Sequence, residues 1–346
     1  MTIMPCQRRM TIADIARESG VSKSTVSRAL NNSGYVSKEA REKIATVVKG
    51  NNYYPSAIAR SLSKQQTDSI GVIIPEPHTQ FFAEILSGIS SVVDEYGLTL
   101  LFCNTDNDKE KEKRALSILG EHNVRGIILT PATDNMDKIE LSSFLSNVTK
   151  VGVPVIQIDR PIKEAPWDGI YYDNFASSYN ATISLIKEGY NSIAFITAHP
   201  HFQIAHQRTE GYKRALLDHG FNESDFLIYQ GDWNNETSYK ITQNLLNDSI
   251  RPEAIINANS MITAGVVRAF LQNNVVLGRD VGFINWGASE TLDILGVDYS
   301  FIDRETYHVG ETAIKMLLER IDNPNLPQRI NVLPPKIVLG DYCRSY

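Results

Sequence analysis

Between residues 69 and 286 the chain repeats one unit, a short apolar run followed by a longer amphipathic segment. The runs are "SIGVII" (69–74), "LTLLFC" (98–103), "RGIILT" (125–130) and "VPVIQI" (153–158), then "GIYYD" (169–173), "SIAFIT" (192–197), "FLIYQ" (226–230), "AIINA" (254–258) and "VGFINW" (281–286). Strands that alternate with helices are joined by crossovers, and a doubly wound parallel sheet is the architecture that meets this demand. Two series of runs predict two such lobes. The first takes about residues 68–160, and the second, opening with "GIYYD", takes about 161–289. From about residue 290, "SFIDRETYHVGETAIKMLLERI" is expected to return to the first lobe through about 322. The tail "INVLPPKIVLG" (330–340), within 323–346, is expected to finish the second. Ligands of such sheets bind at the carboxyl ends of the strands.

Charge divides the chain at a different place. Residues 1–67 hold 11 Lys/Arg against 4 Asp/Glu, a balance of +7, and the whole chain is −6, which leaves −13 for residues 68–346. A small basic head on a large acidic body predicts that the head meets a polyanion. A membrane or ribosomal tether is the other use of a basic arm, and the head's own structure decides between them. The longest apolar runs are far short of a membrane span, and "MTIMPCQRRM" lacks the apolar stretch of a secretory signal. Cys6, Cys103 and Cys343 are too few and too widely spaced for a disulfide framework or a metal knuckle. A cytosolic protein with no membrane partner is expected. "MTIADIA" begins at a second methionine, Met10, so residues 1–9 read as an upstream extension.

The head, residues 1–54, reads as three short helices. The first opens at Thr11 with Asp14 three positions on, in the manner of a capping box, and buries Ile12, Ile15 and Ala16. "ESG" (18–20) ends it at Gly20. Ser22 caps the second helix, whose inward face is Val26, Ala29 and Leu30. The third starts at Ser37 and runs through Ala40, Ile44, Val47 and Val48 to "GNN" (50–52). Two helices joined by a Gly-containing turn and completed by a third are helix-turn-helix architecture. With Val26 and Leu30 inward, Lys23, Ser24, Ser27 and Arg28 face out. Short hydroxyl side chains let a helix sit close in a DNA major groove, where a lysine and an arginine reach guanine edges or phosphates. "VSKSTVSRALN" (21–31) has no acid for phosphate to repel. A merely solvated helix face is the structural alternative.

Residues 55–67 read as a hinge. Pro55 suits a first helical position, and "SAIARSL" (56–62) is too short to be a stable helix alone. Ala57, Ala59 and Ser61 are small enough for a partner helix to approach closely, and Ile58 and Leu62 form an apolar pair. An interdomain linker with an incidental leucine is the plainer reading.

"TIADIARESGVSKSTVSRALN" (11–31) closely resembles the helix-turn-helix of the LacI/GalR family of bacterial repressors. "YVSKEAREKI" (35–44) and "NNYYPSAIARSL" (51–62) resemble that family's third helix and hinge, and the likeness continues along essentially the whole chain. The resemblance implies that Lys23, Ser24 and Arg28 read bases and that Thr25 and Ser27 lie beside phosphates, with Thr11 and Ser22 among the DNA contacts. It implies a hinge that folds on DNA, pairs with its twin and wedges Leu62 into the minor groove, with Ser56 and Ala59 among the DNA contacts. Ser56 departs from the asparagine that most members carry after the proline. For residues 68–346 it implies a periplasmic-binding-protein-like body with an effector in the cleft between lobes.

No G-x-S-x-G elbow, P-loop or G-x-G-x-x-G fingerprint appears, so no catalytic residue and no cofactor is expected. His199, His201 and His206 in "HPHFQIAH" lack a matching acid or cysteine spacing, so no metal is expected either. The resemblance places Phe81, Phe82, Asp159, Arg160, Arg208, Asn259, Trp286 and Arg304 at the effector, with one of the two phenylalanines expected in the core. Two departures concern the ligand. Many sugar-binding members carry an aspartate where Gly287 stands after Trp286, and many carry a glutamine where Arg304 stands. Losing an acid and gaining a base moves the local charge by about two units, toward an anion that pairs with guanidinium groups. An acidic sugar (an aldonate, a uronate or a 2-keto-3-deoxy acid) is expected, with a sugar phosphate as the other anion. Alternatively Arg304 pairs with Asp303, Glu305 or Asp159 and the ligand is neutral.

The resulting expectation is a homodimeric repressor of carbohydrate metabolism whose two heads read a near-palindromic operator in double-stranded DNA. Its rivals are a regulator that answers to a partner protein, a solute-binding receptor, which the basic head disfavours, and a sugar-processing enzyme. No leucine heptads follow residue 340, so a tail-mediated tetramer is not expected.

Overall fold

The computed structural model describes residues 10–31, 34–51, 67–198, 202–248 and 251–340. The chain divides into two units, Met1–Asp68 and Ser69–Tyr346. The expected hinge contacts Ser56, Ala59 and Leu62 lie outside the described residues, as do His199 and His201.

The described residues of the first unit form three helices, α1 (Ile12–Ser19), α2 (Lys23–Asn31) and α3 (Lys38–Gly50). Thr11 and Asp14 form the reciprocal capping box at the start of α1, and the Ser22 and Ser37 hydroxyls accept backbone N–H groups at the starts of α2 and α3. Ile15, Ala16, Val26 and Ile44 make the core, with Ile12, Ala29, Leu30, Val47 and Val48 packed around it. Apolar residues at helical spacing on three short helices leave one small shared interior.

The second unit is built on two six-stranded sheets. In the first sheet the order is β11 (Ile330–Leu333), β5 (Asp168–Tyr172), β4 (Val155–Ile158), β3 (Ile127–Leu129), β1 (Ser69–Ile74) and β2 (Thr99–Asn104). In the second it is β12 (Lys336–Val338), β10 (Ser300–Asp303), β9 (Gly282–Asn285), β8 (Ala254–Asn257), β6 (Ile193–Thr197) and β7 (Leu227–Gln230). All pairings are parallel except β10 with β12. The helices α4 (Gln80–Glu95), α5 (Lys109–Glu121), α6 (Lys138–Val151) and α12 (Thr306–Asp322) belong to the first lobe. The helices α7 (Asn174–Lys187), α8 (Gln203–Asp218), α9 (Asn235–Asn247), α10 (Ser260–Gln272) and α11 (Glu290–Ile294) belong to the second. Central strands β3, β4, β6, β8 and β9 are buried along their whole length, as sheets covered on both faces require.

The lobe boundaries differ from the expected ones in three places. "GIYYD" is not the first strand of the second lobe, because β5 pairs with β4 from Ile156↔Asp168 to Ile158↔Ile170. No helix separates β4 from β5, so the segment looked like a fresh start although it continues the first sheet. The return to the first lobe comes after β10, which pairs with β9, and not at residue 290. The tail is split, since β11 joins β5 in the first sheet and only β12 joins the second. The chain therefore changes lobe at 173, at 304–305 and at 334–335. Asp168 secures the first-lobe return: its carboxylate accepts from Arg320 Nη2 at 2.7 Å, Arg329 Nη2 at 3.3 Å and Arg329 N at 2.8 Å. Burial alone would raise the Asp168 carboxyl, but the bonds from Arg320 and Arg329 outweigh it and hold the group below its usual range.

Helices α4 and α12 cross with their backbones nearly touching. A Cβ on Gly88 would stand 2.1 Å from the Tyr307 carbonyl oxygen, and one on Gly310 would stand 2.1 Å from that of Ile85. Backbone cannot turn aside as a side chain can, so Gly310→Ala is expected to destabilise the protein by about 3 kcal/mol, the upper part of the range for overpacked cores. Urea unfolding checks this, and a wild-type midpoint in Gly310→Ala would contradict the close crossing.

Candidate functional site

In the first unit, α2 presents Lys23, Ser24 and Arg28 to solvent, with Thr25 and Ser27 partly covered. The Ser22 hydroxyl lies 2.7 Å from that of Ser24 and 2.8 Å from that of Thr25, so the start of the helix carries a compact hydroxyl cluster. Thr11 is engaged with Asp14. Lys23 and Arg28 are the charged groups of α2, which has no acid in its first turn. Such a surface, short, hydroxylated and cationic, matches phosphate and the guanine edge.

In the second unit, a pocket of about 400 Å³, open solvent at its mouth included, lies between the carboxyl ends of the two sheets. It is lined by Phe81, Phe82, Asp159, Arg160, Arg208, Asn259 and Arg304, together with Glu76, Thr79, Ile204, Trp233 and Ser260. Arg208 is fully buried: its Nε donates to Asn174 Oδ1 at 2.8 Å and its Nη1 to the Ala258 carbonyl at 2.6 Å. Its guanidinium stacks 4.1 Å from the Trp286 ring centre. Arg304 lies 4.0 Å from the centre of the Phe81 ring, and its Nη2 donates to the Trp286 carbonyl at 3.3 Å. Arg160 Nη1 donates to Asn107 Oδ1 at 2.6 Å and to the carbonyls of Pro131 and Ala132, while its plane faces the Phe202 ring at 4.9 Å.

Three guanidinium groups thus converge on a pocket with little opposing charge. Among the described residues, the one carboxylate within ion-pair distance of any of them is Asp159, 3.9 Å from Arg160 Nε. Asp303 and Glu305 pair with Lys336 at 3.1 and 3.3 Å, so Arg304 forms none of the ion pairs its neighbourhood in sequence allowed. Burial, and then the nearby charge of Arg304, push the Arg208 group down to about 9. Burial lowers Arg304 as well. Arg304 Nε, Arg160 Nε, Asp159 Oδ1 and Trp233 Nε1 are buried without a hydrogen-bond partner among the described residues, all on residues that line the pocket. Asp159 holds φ 67° and Trp233 φ 48°, backbone that side-chain-bearing residues adopt at a cost of about 1–3 kcal/mol each.

Polar contacts join the two walls. The Asp134 carboxylate accepts from Gln203 N at 2.9 Å and Ile204 N at 3.0 Å, serving the start of α8, whose own N-cap Phe202 makes no side-chain bond. Gln80 Oε1 accepts from Glu290 N at 3.1 Å. Behind this wall Glu112 is buried and accepts from Ala132 N, next to the carbonyls that hold Arg160. Burial pushes its carboxyl from 4.5 up to about 7. A carboxyl raised in the folded state stabilises below its unfolded value, and that contribution is lost as pH rises through about 7. Glu112→Gln is therefore expected to melt several degrees above wild type at pH 8 and with it at pH 4. Thermal melts at the two pH values check this; equal differences at both would contradict it.

Seven of the eight expected cleft residues line one pocket. The exception is Trp286, which is buried in the core of the second lobe and supports Arg208 from beneath. Its strand-end position was legible, but the cover provided by Arg208 from α8 was not. Both Phe81 and Phe82 line the pocket, ring centres 4.8 Å apart, although Phe81 turns a face to Arg304. Asn259 has two duties, since its Oδ1 also caps α10 through Ile262 N. Trp233 was missed. The available signal was a large aromatic set among turn formers in "GDWNNE" (231–236), where such a ring has no strand or helix face to fill.

A helix-turn-helix unit carried on the same chain as a two-lobed cleft defines a DNA-binding regulator rather than a receptor or an enzyme. Residues 11–56 match the bacterial regulatory proteins of the lacI family, and residues 67–331 match the periplasmic binding proteins and sugar binding domain of the LacI family. The chain belongs to the LacI family and is a DNA-binding transcriptional repressor of that family. The ribose operon repressor of Haemophilus influenzae is 31% identical to it over 336 residues, 97% of this chain and 99% of its own. The transcriptional repressor PurR of Vibrio campbellii is 29% identical, again across 97% of this chain and 99% of its own. The crystal structure of the lac repressor dimer bound to operator and the anti-inducer ONPF shares the fold, with a TM-score of 0.84 at 23% identity over 98% of this chain and 100% of its own.

Proposed function

We propose that the protein is a homodimeric repressor of carbohydrate metabolism that reads a near-palindromic operator through Lys23, Ser24 and Arg28 and is controlled by an acidic monosaccharide in the cleft. The observation that carries the effector class is the set of three guanidinium groups facing a single ion-pairing acid, Asp159. Burying unpaired guanidinium groups costs several kcal/mol each, about the amount that an anion with matching hydrogen bonds offsets. Asp159 Oδ1, an unused acceptor beside them, suits the hydroxyls of a sugar. The ribose operon repressors among the relatives favour a neutral pentose as the second reading. Dimerisation is supported by the exposed apolar side chains Tyr96, at the end of α4, and Phe102, on the edge strand β2, and by the related repressor solved as a dimer on its operator. Thr25 and Ser27 supply the phosphate-side contacts and Thr11 and Ser22 further DNA contacts, with Ser56, Ala59 and Leu62 as the hinge contacts.

An effector acts here by its difference in affinity for closed and open lobes. Arg28→Ala is expected to cost about 1–3 kcal/mol of operator affinity and to relax base preference at one operator position. Binding-site selection on random duplexes checks this, and an equal fall on every sequence would leave Arg28 a phosphate contact only. A thermal-shift screen of acidic and neutral sugars tests the effector class. Stabilisation by an aldonate, a uronate or a keto-deoxy acid is expected, whereas a response to neutral sugars alone would return the cleft to the ribose-type reading.

A further inference from the structure

Resting on the anionic-effector reading above, we infer that the anion is a carboxylate and not a phosphoryl group, that it sits at Arg208 and Arg304 above Trp286, and that Gly287 is the specificity-determining residue that makes the seat. The two guanidinium groups meet at one residue, since Arg208 stacks on the Trp286 ring and Arg304 bonds its carbonyl. Arg304 keeps a buried Nε with no hydrogen-bond partner among the described residues. The position following Trp286 lies directly against it. Gly287 has φ 107°, and a Cβ there would stand 3.1 Å from Arg304 Nη2. Any side chain at 287 strains the backbone and pushes on the guanidinium, so the missing acid at 287 and the added base at 304 are one adaptation. Glycine makes the room that arginine occupies.

Two observations select carboxylate over phosphoryl. The first is charge. The lining holds Arg160, Arg208 and Arg304 against Asp159 and Glu76, a surplus of one positive charge. A carboxylate brings a single negative charge, whereas a phosphate monoester brings about −1.5 to −2. The second is the donor set. Helix starts with free N–H groups are ready seats for a phosphoryl group. On the second-lobe wall those starts are already served by protein oxygens, that of α8 by Asp134 and that of α10 by Asn259. The start of α4 has no side-chain cap, but it brings an acid, Glu76, and the rings of Phe81 and Phe82 to the pocket, surroundings that oppose a dianion. What the seat offers is forked guanidinium donors, which pair with either anion, so the charge balance and the occupied helix starts carry the choice of carboxylate.

The test uses the full chain, with calorimetric titration and thermal melts against D-gluconate, D-galacturonate, D-glucose, D-ribose and D-glucose 6-phosphate. A sugar carboxylate is expected to bind wild type, and to lose about tenfold or more of its affinity in Arg304→Gln, in Arg304→Lys and in Gly287→Ala. Arg304→Lys keeps the charge without the fork, so wild-type affinity in that variant would overturn the planar pairing. Wild-type affinity in Gly287→Ala would overturn the role of Gly287. Each variant's unliganded melt shows whether it is folded, and Arg304→Gln decides the seat if Gly287→Ala is not. Binding of D-glucose 6-phosphate alone, dependent on Arg304, would overturn the carboxylate while leaving the anionic effector standing. Binding of D-glucose or D-ribose alone, indifferent to Arg304→Gln, would overturn both, as would a flat response to both carboxylates.

Discussion

The near-contact of α4 and α12 through Gly88 and Gly310 is the constraint from which the rest of the second unit follows. Helix α12 comes late in the chain, after the second sheet is nearly complete, yet it packs on a helix formed more than two hundred residues earlier. Glycine-on-carbonyl packing brings the axes close enough for Ile85, Ile89, Val309, Ala313 and Leu317 to share one core. Because α12 is held there, the chain must cross back from the second lobe just after β10, and Arg304 is the residue at that crossing. Asp168, gripping Arg320 and Arg329, then holds the next segment so that β11 can join the same sheet.

A pocket at a crossing inherits its chemistry from both walls. Asp159 and Arg160 follow β4, Arg208 rises from α8, and Arg304 stands at the change of lobe, so relative movement of the lobes alters the spacing between charges. That is the form of coupling a repressor needs, because an effector shifts a conformational equilibrium only through contacts that differ between the states. The lobes are also joined without an effector, by Asp134 at the start of α8 and by Arg160 against Phe202. The bias supplied by the chain itself is therefore polar, local and separate from the seat at Trp286.

Much of this architecture was legible in the residues. Strand runs alternating with amphipathic segments specify crossovers, and short buried parallel strands carry their own apolar signature. The head was legible down to its caps, because a capping box and an i, i+3, i+4 apolar stripe are local patterns read over a single turn. Failures fell where local pattern is silent. β5 follows β4 without an intervening helix, so nothing nearby told which sheet it joins, and the four residues of β10 gave no sign of belonging with β9.

The site divides in the same way. The residue types around the cleft, with arginine at 160, 208 and 304 and glycine at 287, were set by the sequence, and so was the basic, acid-free face of α2. That α8 lays Arg208 over Trp286, that Arg304 fills the space beside Gly287, and that Lys336 draws off Asp303 and Glu305 were decided by tertiary structure alone. The physical reason is range. Backbone preference and amphipathic pattern act within a few residues, whereas pairing a charge depends on which distant segments packing brings within about 4 Å.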